Sequence, residues 1–226
     1  DKQVLHYLAQ AYEPSRPVVN GTNVYETHDK RFCGQLFPQF MPESIYTQDE
    51  DVARNAVEEY ARRFGHAIVK PSNDGSGRNI HRFEAYDSDS AQTIDKLLQQ
   101  YGTDIIVQQY VPEATQGDKR ILGIANEHYL RIVPISLRKS AGGSYINNLS
   151  SGGTREILWN VTPQEQEVIE TMTPELLKNR VYITGYDFIG PYLTEINTMS
   201  VGSTMEPEEL IRKDFPGAFS TFLETF

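Results

Sequence analysis

The order of elements along the chain predicts an α+β fold built on mainly antiparallel sheets. Three observations carry this. Strands and helices follow one another in mixed order, not in strict alternation. Candidate strands at 119–126 and 129–137 meet across Asn126-Glu-His128 as a hairpin. A second pair, 181–189 and 192–196, flanks Gly190-Pro191.

The elements follow in turn. Val4, Leu5 and Leu8 suit a short helix, broken by Pro14 and Pro17. Between Asp49 and Phe64, apolar residues recur at 52, 53, 56, 57, 60, 61 and 64, which is helical spacing closed by Gly65. His66-Ala-Ile-Val-Lys70 reads as a buried strand stopped by Pro71, and a short strand follows near 79–83. Residues 88–101 form a second helix, with Ile94, Leu97, Leu98 and Tyr101 on one face, and 104–110 a strand. Residues 138–154 make a long polar loop, a length that compact domains keep for function. Thr162-Pro-Gln-Glu165 opens a third helix with a capping box and Pro at its first position. Trp159 is expected to pack against that helix, and a short terminal helix starts near Pro207.

Composition narrows the function. With 31 acidic and 21 basic residues the net charge is −10, which gives no bulk attraction to nucleic acid or to an anionic membrane. Hydrophobic residues at 38% and charged residues at 23% mark a globular chain. No apolar run approaches the roughly 20 residues of a membrane span, and no signal peptide is visible. Cys33 is the only cysteine, so no internal disulfide forms and a reducing cytoplasm is expected, with the thiol buried or semi-buried. The five histidines show no metal-ligand spacing to one another or to Cys33. The chain opens at Asp1, which suggests a trimmed amino terminus.

Four constellations suggest chemistry. In Lys70-Pro-Ser-Asn-Asp-Gly-Ser-Gly-Arg-Asn-Ile80, a lysine ends a strand and a loop with two glycines follows. Backbone N–H groups approach phosphate oxygens there, although a plain hairpin turn is the simpler account. In the 186–197 segment, Glu195 and Asn197 share a face, and Asp187 joins them if the turn centres on Pro191. Such hard oxygen donors suit Mg²⁺. A strict two-residue Gly-Pro turn pairs Asp187 with Thr194 instead, so this metal reading demands an odd loop. Asp118 and Arg120 share a face, and Arg138 ends the next strand. Their guanidinium groups suit a carboxylate or phosphoryl group, or form surface salt bridges. Asn148-Leu-Ser-Ser-Gly-Gly153 suits an anion-facing loop or an ordinary turn.

Taken in order, Ile-Val-Lys70-Pro, Gln-Gln109-Tyr110-Val-Pro, Gly-Asp118-Lys-Arg120, Asn148-Leu-Ser-Ser-Gly-Gly and Asp187-Phe-Ile-Gly-Pro-Tyr-Leu-Thr-Glu195-Ile-Asn197 resemble the ATP-grasp superfamily. In detail they resemble the bacterial glutathione synthetases, over about residues 18–226. The resemblance implies two α+β subdomains holding ATP between them. About 45–112 would contain the smaller lid subdomain, 113–226 the carboxy-terminal subdomain with the metal site, and 1–17 the remnant of, or linker from, an amino-terminal domain. Lys30 and Lys70 would contact the phosphates, and the loop with Asn73, Gly75, Ser76 and Gly77 would close over them. Gln109, Tyr110 and Val111 would border the adenine, with Asp118 nearby. Asp187, Glu195 and Asn197 would hold two Mg²⁺ ions, or Mn²⁺. Arg120, Arg138 and Asn148 would face the transferring phosphoryl group and the acyl intermediate.

The implied reaction joins a small-molecule carboxylate to an amine through an acylphosphate, with γ-glutamylcysteine and glycine as the synthetase pair. A homo-oligomer is expected by the same resemblance. Two departures keep other substrates open, the first bearing on glycine as the acceptor and the second on γ-glutamylcysteine. Thr198-Met-Ser-Val-Gly-Ser203 stands where the synthetases continue Val-Thr-Ser-Pro-Thr. Ser144-Tyr-Ile-Asn147 stands where they carry Arg two residues before the Asn. The alternatives are another ATP-grasp peptide or amino-acid ligase, and a non-catalytic nucleotide-binding or interaction module.

Overall fold

A computed structural model describes residues 20, 30–72, 77–102, 104–140, 142, 144–147, 152–198 and 215–225. The helix expected near Val4 and the start of the terminal helix at Pro207 lie outside the described residues. The structure is α+β, as expected, with two antiparallel sheets.

The smaller sheet has four strands: β1 (Ser44–Thr47), β2 (Ala67–Pro71), β3 (His81–Phe83) and β4 (Ile105–Gln109), in the order β1-β4-β2-β3. Helices α2 (Glu50–Phe64) and α3 (Ser88–Tyr101) cover one of its faces. Helix α2 starts where the Asp49 side chain accepts from the Asp51 and Val52 N–H groups, and it ends at Gly65 with φ +78°. Helix α3 has a full capping box, Asp87 with Ser90. Ala67, Val69, Ile105 and Val107 point into the core under these helices. All five β2 residues are nevertheless buried. The alternate ones, Ile68 and Lys70, face the other way, into a cleft.

The larger sheet contains β5 (Asp118–Ala125), β6 (Leu130–Lys139), β7 (Thr154–Ile157), β8 (Ile183–Ile189) and β9 (Tyr192–Asn197), in the order β7-β6-β5-β8-β9. One face is mainly apolar. Ile121, Tyr186, Phe188, Leu193 and Ile196 pack there against α4 (Pro163–Lys178) and against Cys33 of α1 (Lys30–Leu36). The opposite face is divided. Leu122, Ile124, Val133 and Ile183 lie under α5 (Phe215–Thr225) at one end. Farther along the same face, Asp118, Arg120 and Asp187 replace apolar residues, and Asp118 and Asp187 open onto the cleft.

The predicted helices and hairpins at 49–65, 88–101, 119–137 and 162 onward are present to within a few residues. Strands β1 and β7 and helix α1 carry no clear periodicity and were not anticipated. Strand β2 includes Pro71 instead of stopping before it; β3 pairs only with Ala67 to Val69, so no strand flanks that side of Pro71. Trp159 does not pack as expected: it is 63% exposed, while its neighbour Leu158 is buried.

Candidate active site

The β8–β9 hairpin sets the site. Gly190 and Pro191 form a strict two-residue turn between Ile189 and Tyr192, with Gly190 at φ +54°. By simple counting this turn puts Asp187 opposite Thr194. Asp187 instead pairs with Glu195, because the register shifts after Phe188↔Leu193. Thr194 is the extra residue of a β-bulge, and its hydroxyl donates to the Asp187 carbonyl at 3.1 Å. The odd loop required by the sequence reading is therefore a regular turn plus a bulge. The bulge sends Leu193 and Ile196 to the core face and Glu195 and Asn197 to the site face. A second irregularity, at Ile135 on β6, lies beside Arg120 and Ser136.

Four charged side chains interlock on that face. Arg120 stands opposite Asp187 and grips it with two N–H groups: Nε to Oδ1, and Nη2 to Oδ2 at 2.7 Å. Arg138 stands opposite Asp118, donates to it through Nε, and reaches Asp187 Oδ1 through Nη2 at 3.0 Å. The Asn197 amide donates to Asp187 Oδ2 at 3.2 Å. All four charged side chains are nearly buried, so these are not the surface salt bridges that the sequence left open. Burial pushes the Asp187 carboxyl up, but the Arg120 and Arg138 charges outweigh it and hold the group below the usual carboxylate range. For Asp118 burial wins, and its carboxyl is raised despite Arg138.

Gly117 precedes Asp118 at φ +122°. A Cβ there would lie 2.5 Å from the Arg138 carbonyl oxygen, so glycine is what lets β5 start against β6.

The small sheet brings the lysine. Lys70 Nζ donates to Gln108 Oε1 at 2.8 Å, Gln108 Nε2 to Ser44 Oγ at 2.7 Å, and Ser44 Oγ to the Pro42 carbonyl at 2.8 Å. This relay aims a buried ammonium into the cleft. Burial, with Lys30 nearby, lowers the Lys70 pKa to about 7, against partial opposition from Glu195.

The two sheets face each other across a cleft. Lys30, Lys70 and Gly77 line its small-sheet side, Gln109, Tyr110 and Val111 the connecting strand end, and Asp118, Arg138, Asp187 and Glu195 its large-sheet side. Arg120 and Asn197 join through Asp187. Asn73, Gly75, Ser76 and Asn148 lie outside the described residues.

Several lining residues went unread in the sequence. Gln108 was passed over for its neighbour Gln109. Tyr145 brings its ring to 4.8 Å from the Arg82 guanidinium, which also sits 5.3 Å from the Tyr110 ring, so the segment between β6 and β7 meets the small sheet across three side chains. Asn147 donates to the Ala114 carbonyl at 2.7 Å and accepts from Ser140 N at 2.8 Å. No motif marks these residues, because each contact joins segments distant in sequence.

The donor set fits a divalent cation. Asp187, Glu195 and Asn197 offer hard oxygens from two adjacent strands on one face, at the edge of a cleft lined by lysines.

A fold that grips a cleft between two α+β units, with acids on one wall and a lysine on the other, defines the ATP-grasp class. The comparisons agree. The family described as "Prokaryotic glutathione synthetase, ATP-grasp domain" matches residues 30–211, and the chain belongs to this family. It is 30% identical over 195 residues to the glutathione synthetase of Nostoc sp. (strain PCC 7120), covering 85% of this chain and 57% of that protein. It is 31% identical over 196 residues to the glutathione synthetase of Pseudomonas aeruginosa, covering 86% and 59%. The chain thus spans less than two thirds of the length of these relatives. Among solved structures, D-cycloserine synthetase DcsG has the same fold, with a TM-score of 0.70 at 13% identity over 98% of this chain and 77% of that one. D-alanyl-alanine synthetase A from Vibrio cholerae follows at 0.62 and 18%, over 90% and 65%.

Proposed function

We propose that the chain is the nucleotide-binding and catalytic part of an ATP-dependent carboxylate–amine ligase of the glutathione synthetase kind. The observation that carries this reading is the single cleft in which Lys70, Tyr110, Asp118, Arg138, Asp187 and Glu195 meet. In this reading the base lies against Tyr110 and Val111, on the apolar surface of Ile68, Ala114 and Ile189. Lys30 and Lys70 face the phosphates, together with the loop of Asn73, Gly75, Ser76 and Gly77. Arg120, Arg138 and Asn148 face the transferring phosphoryl group.

The chemistry is mainly positioning and charge neutralisation. A carboxylate is a poor electrophile. It attacks the terminal phosphorus of ATP, ADP leaves, and the acylphosphate accepts an amine with release of phosphate. The arginines neutralise charge that builds on the phosphoryl oxygens, and the dry face around Arg120 strengthens that effect. Mg²⁺ or Mn²⁺, held by Asp187, Glu195 and Asn197, would neutralise phosphate oxygens and align the terminal phosphoryl group. Deprotonation of the attacking amine completes the amide.

For the relatives the printed activity is glutathione synthesis, and γ-glutamylcysteine with glycine is the first substrate pair to try. A carboxylate substrate other than γ-glutamylcysteine has one observation in its favour: Ile146, apolar, lines the cleft two residues before Asn148.

Calorimetric titration with ATP, with and without Mg²⁺, tests the site. Metal-dependent binding near one nucleotide per chain supports it. ADP release is then measured against a panel of carboxylates and amines. Release with γ-glutamylcysteine and glycine supports the synthetase; release only with another pair supports a relative of different acceptor. Nucleotide binding without release for any pair supports a non-catalytic module.

A further inference from the structure

The interlocked charges hold two demands in conflict. In the reading above, Asp187 serves a cation, and Arg120 and Arg138 serve phosphoryl oxygens. Here they are occupied with one another. Both Asp187 oxygens accept from guanidinium groups, and two positive charges lie against the very carboxylate that a cation would need. In a nearly buried cluster this is a strong commitment, because breaking a pair strands an uncompensated charge. The geometry also shows how the commitment ends. Arg138 is anchored to Asp118 through Nε and touches Asp187 only through Nη2, so it can leave Asp187 without leaving Asp118.

We propose that Arg120 and Arg138 close Asp187 to free divalent cations and release it only when phosphate oxygens arrive to take the arginines in its place. This is an ion-pair exchange, and it rests on the nucleotide reading above. No bond is made or broken in it. Asp187 trades two guanidinium partners for a cation, and the arginines trade a carboxylate for a phosphate, so each buried charge keeps a partner throughout. Cation and nucleotide phosphate then enter together, and a cation alone is excluded.

The test measures Mn²⁺ binding to the purified chain by the loss of the free-ion electron paramagnetic resonance signal, with and without a non-hydrolysable ATP analogue, each read as the loss beyond that in the same solution without protein. The decisive variant is Arg138→Lys. It keeps the charge but loses the two-armed fork that spans Asp118 and Asp187. The exchange predicts that wild type binds Mn²⁺ well only with the analogue. It predicts that Arg138→Lys binds Mn²⁺ alone more tightly than wild type, by about tenfold, with a matching loss of coupling to the nucleotide. A general electrostatic effect predicts no change, since the net charge is the same. A folded Arg138→Lys protein that binds free Mn²⁺ no better than wild type overturns the exchange. Arg120→Lys, which loses the two-pronged grip on Asp187, applies the same criterion if Arg138→Lys fails to fold. Wild type that takes up no Mn²⁺ even with the analogue overturns the nucleotide reading itself, and the exchange with it.

Discussion

Lys70 carries a free-energy cost of its own. Its folded pKa, about 7, lies below the ordinary value of 10.5, so the unfolded chain binds its proton more tightly. Between those values the unfolded state holds the extra proton, and the lysine's contribution to stability rises with pH. It is fully present above the unfolded value and lost as pH falls through about 7. Lys70→Met should therefore be more stable than wild type at pH 6, and urea unfolding from pH 7 to 10 should show a flatter stability profile for the variant. Gly117 makes an independent prediction. Ala there meets both the φ of +122° and the Arg138 carbonyl, and should cost about 1–3 kcal/mol by the same unfolding measurement. Glu195→Gln keeps the size of the side chain but weakens an oxygen donor. In the ligase reading, ADP release should fall by at least ~100-fold, with the circular dichroism spectrum unchanged.

At the scale of elements, local signals were legible wherever chemistry was local. Asp49 and Gly65 bracket α2, and Thr162 with Glu165 opens α4, because capping is settled within a few residues. Thr162→Ala should cost about 1 kcal/mol in thermal unfolding; Lys119, which bonds Glu165 at 2.8 Å, keeps that side chain in place. The pairing of Asp187 with Glu195 was legible only as a conditional. The turn could be counted, but the Thr194 bulge could not, since a bulge satisfies the faces of two neighbouring strands at once. Removing Thr194 would make Leu193 and Glu195 neighbours in an unbulged strand, so Leu193 keeps the core face and Glu195 stays opposite Asp187. The Thr194 deletion should therefore retain metal-dependent nucleotide binding in calorimetry. Strands β1 and β7 are not legible in the sequence because Ser44–Thr47 and Thr154–Ile157 carry no clear apolar alternation and bury only Thr47. The arginine–carboxylate cluster was legible as residues and not as a cluster: Arg120 and Asp187 are 67 positions apart, and only the sheet order brings them together.

At the scale of the molecule, the cleft joins two separate apolar cores, one under α2 and α3, the other between the large sheet, α4 and α1. A ligand that touches both walls links them. At about 100 times its dissociation constant it adds roughly 2.7 kcal/mol. For a chain of this size Mg·ATP should raise the melting temperature by about 5–10 °C in scanning calorimetry. Among the described residues no helix is long and apolar enough to cross a membrane. The net charge of −10 repels a nucleotide at long range, and the lysines of the cleft reverse that sign only at close quarters.

The position of α1 bears on the order in which a ribosome delivers the chain. All four small-sheet strands lie between Ser44 and Gln109, so that unit is complete as soon as Gln109 has emerged. Helix α1 precedes it, yet Cys33 and Phe37 pack with Leu193 and Ile196, which are made more than 150 residues later. Asn20 waits as long: its side chain donates to the Ile183 and Thr198 carbonyls and accepts from the N–H groups of Tyr182 and Ile183. During synthesis Asn20 and α1, made before the small sheet, are therefore among the last to find their place, and until then the apolar side chains of α1 need shelter from solvent.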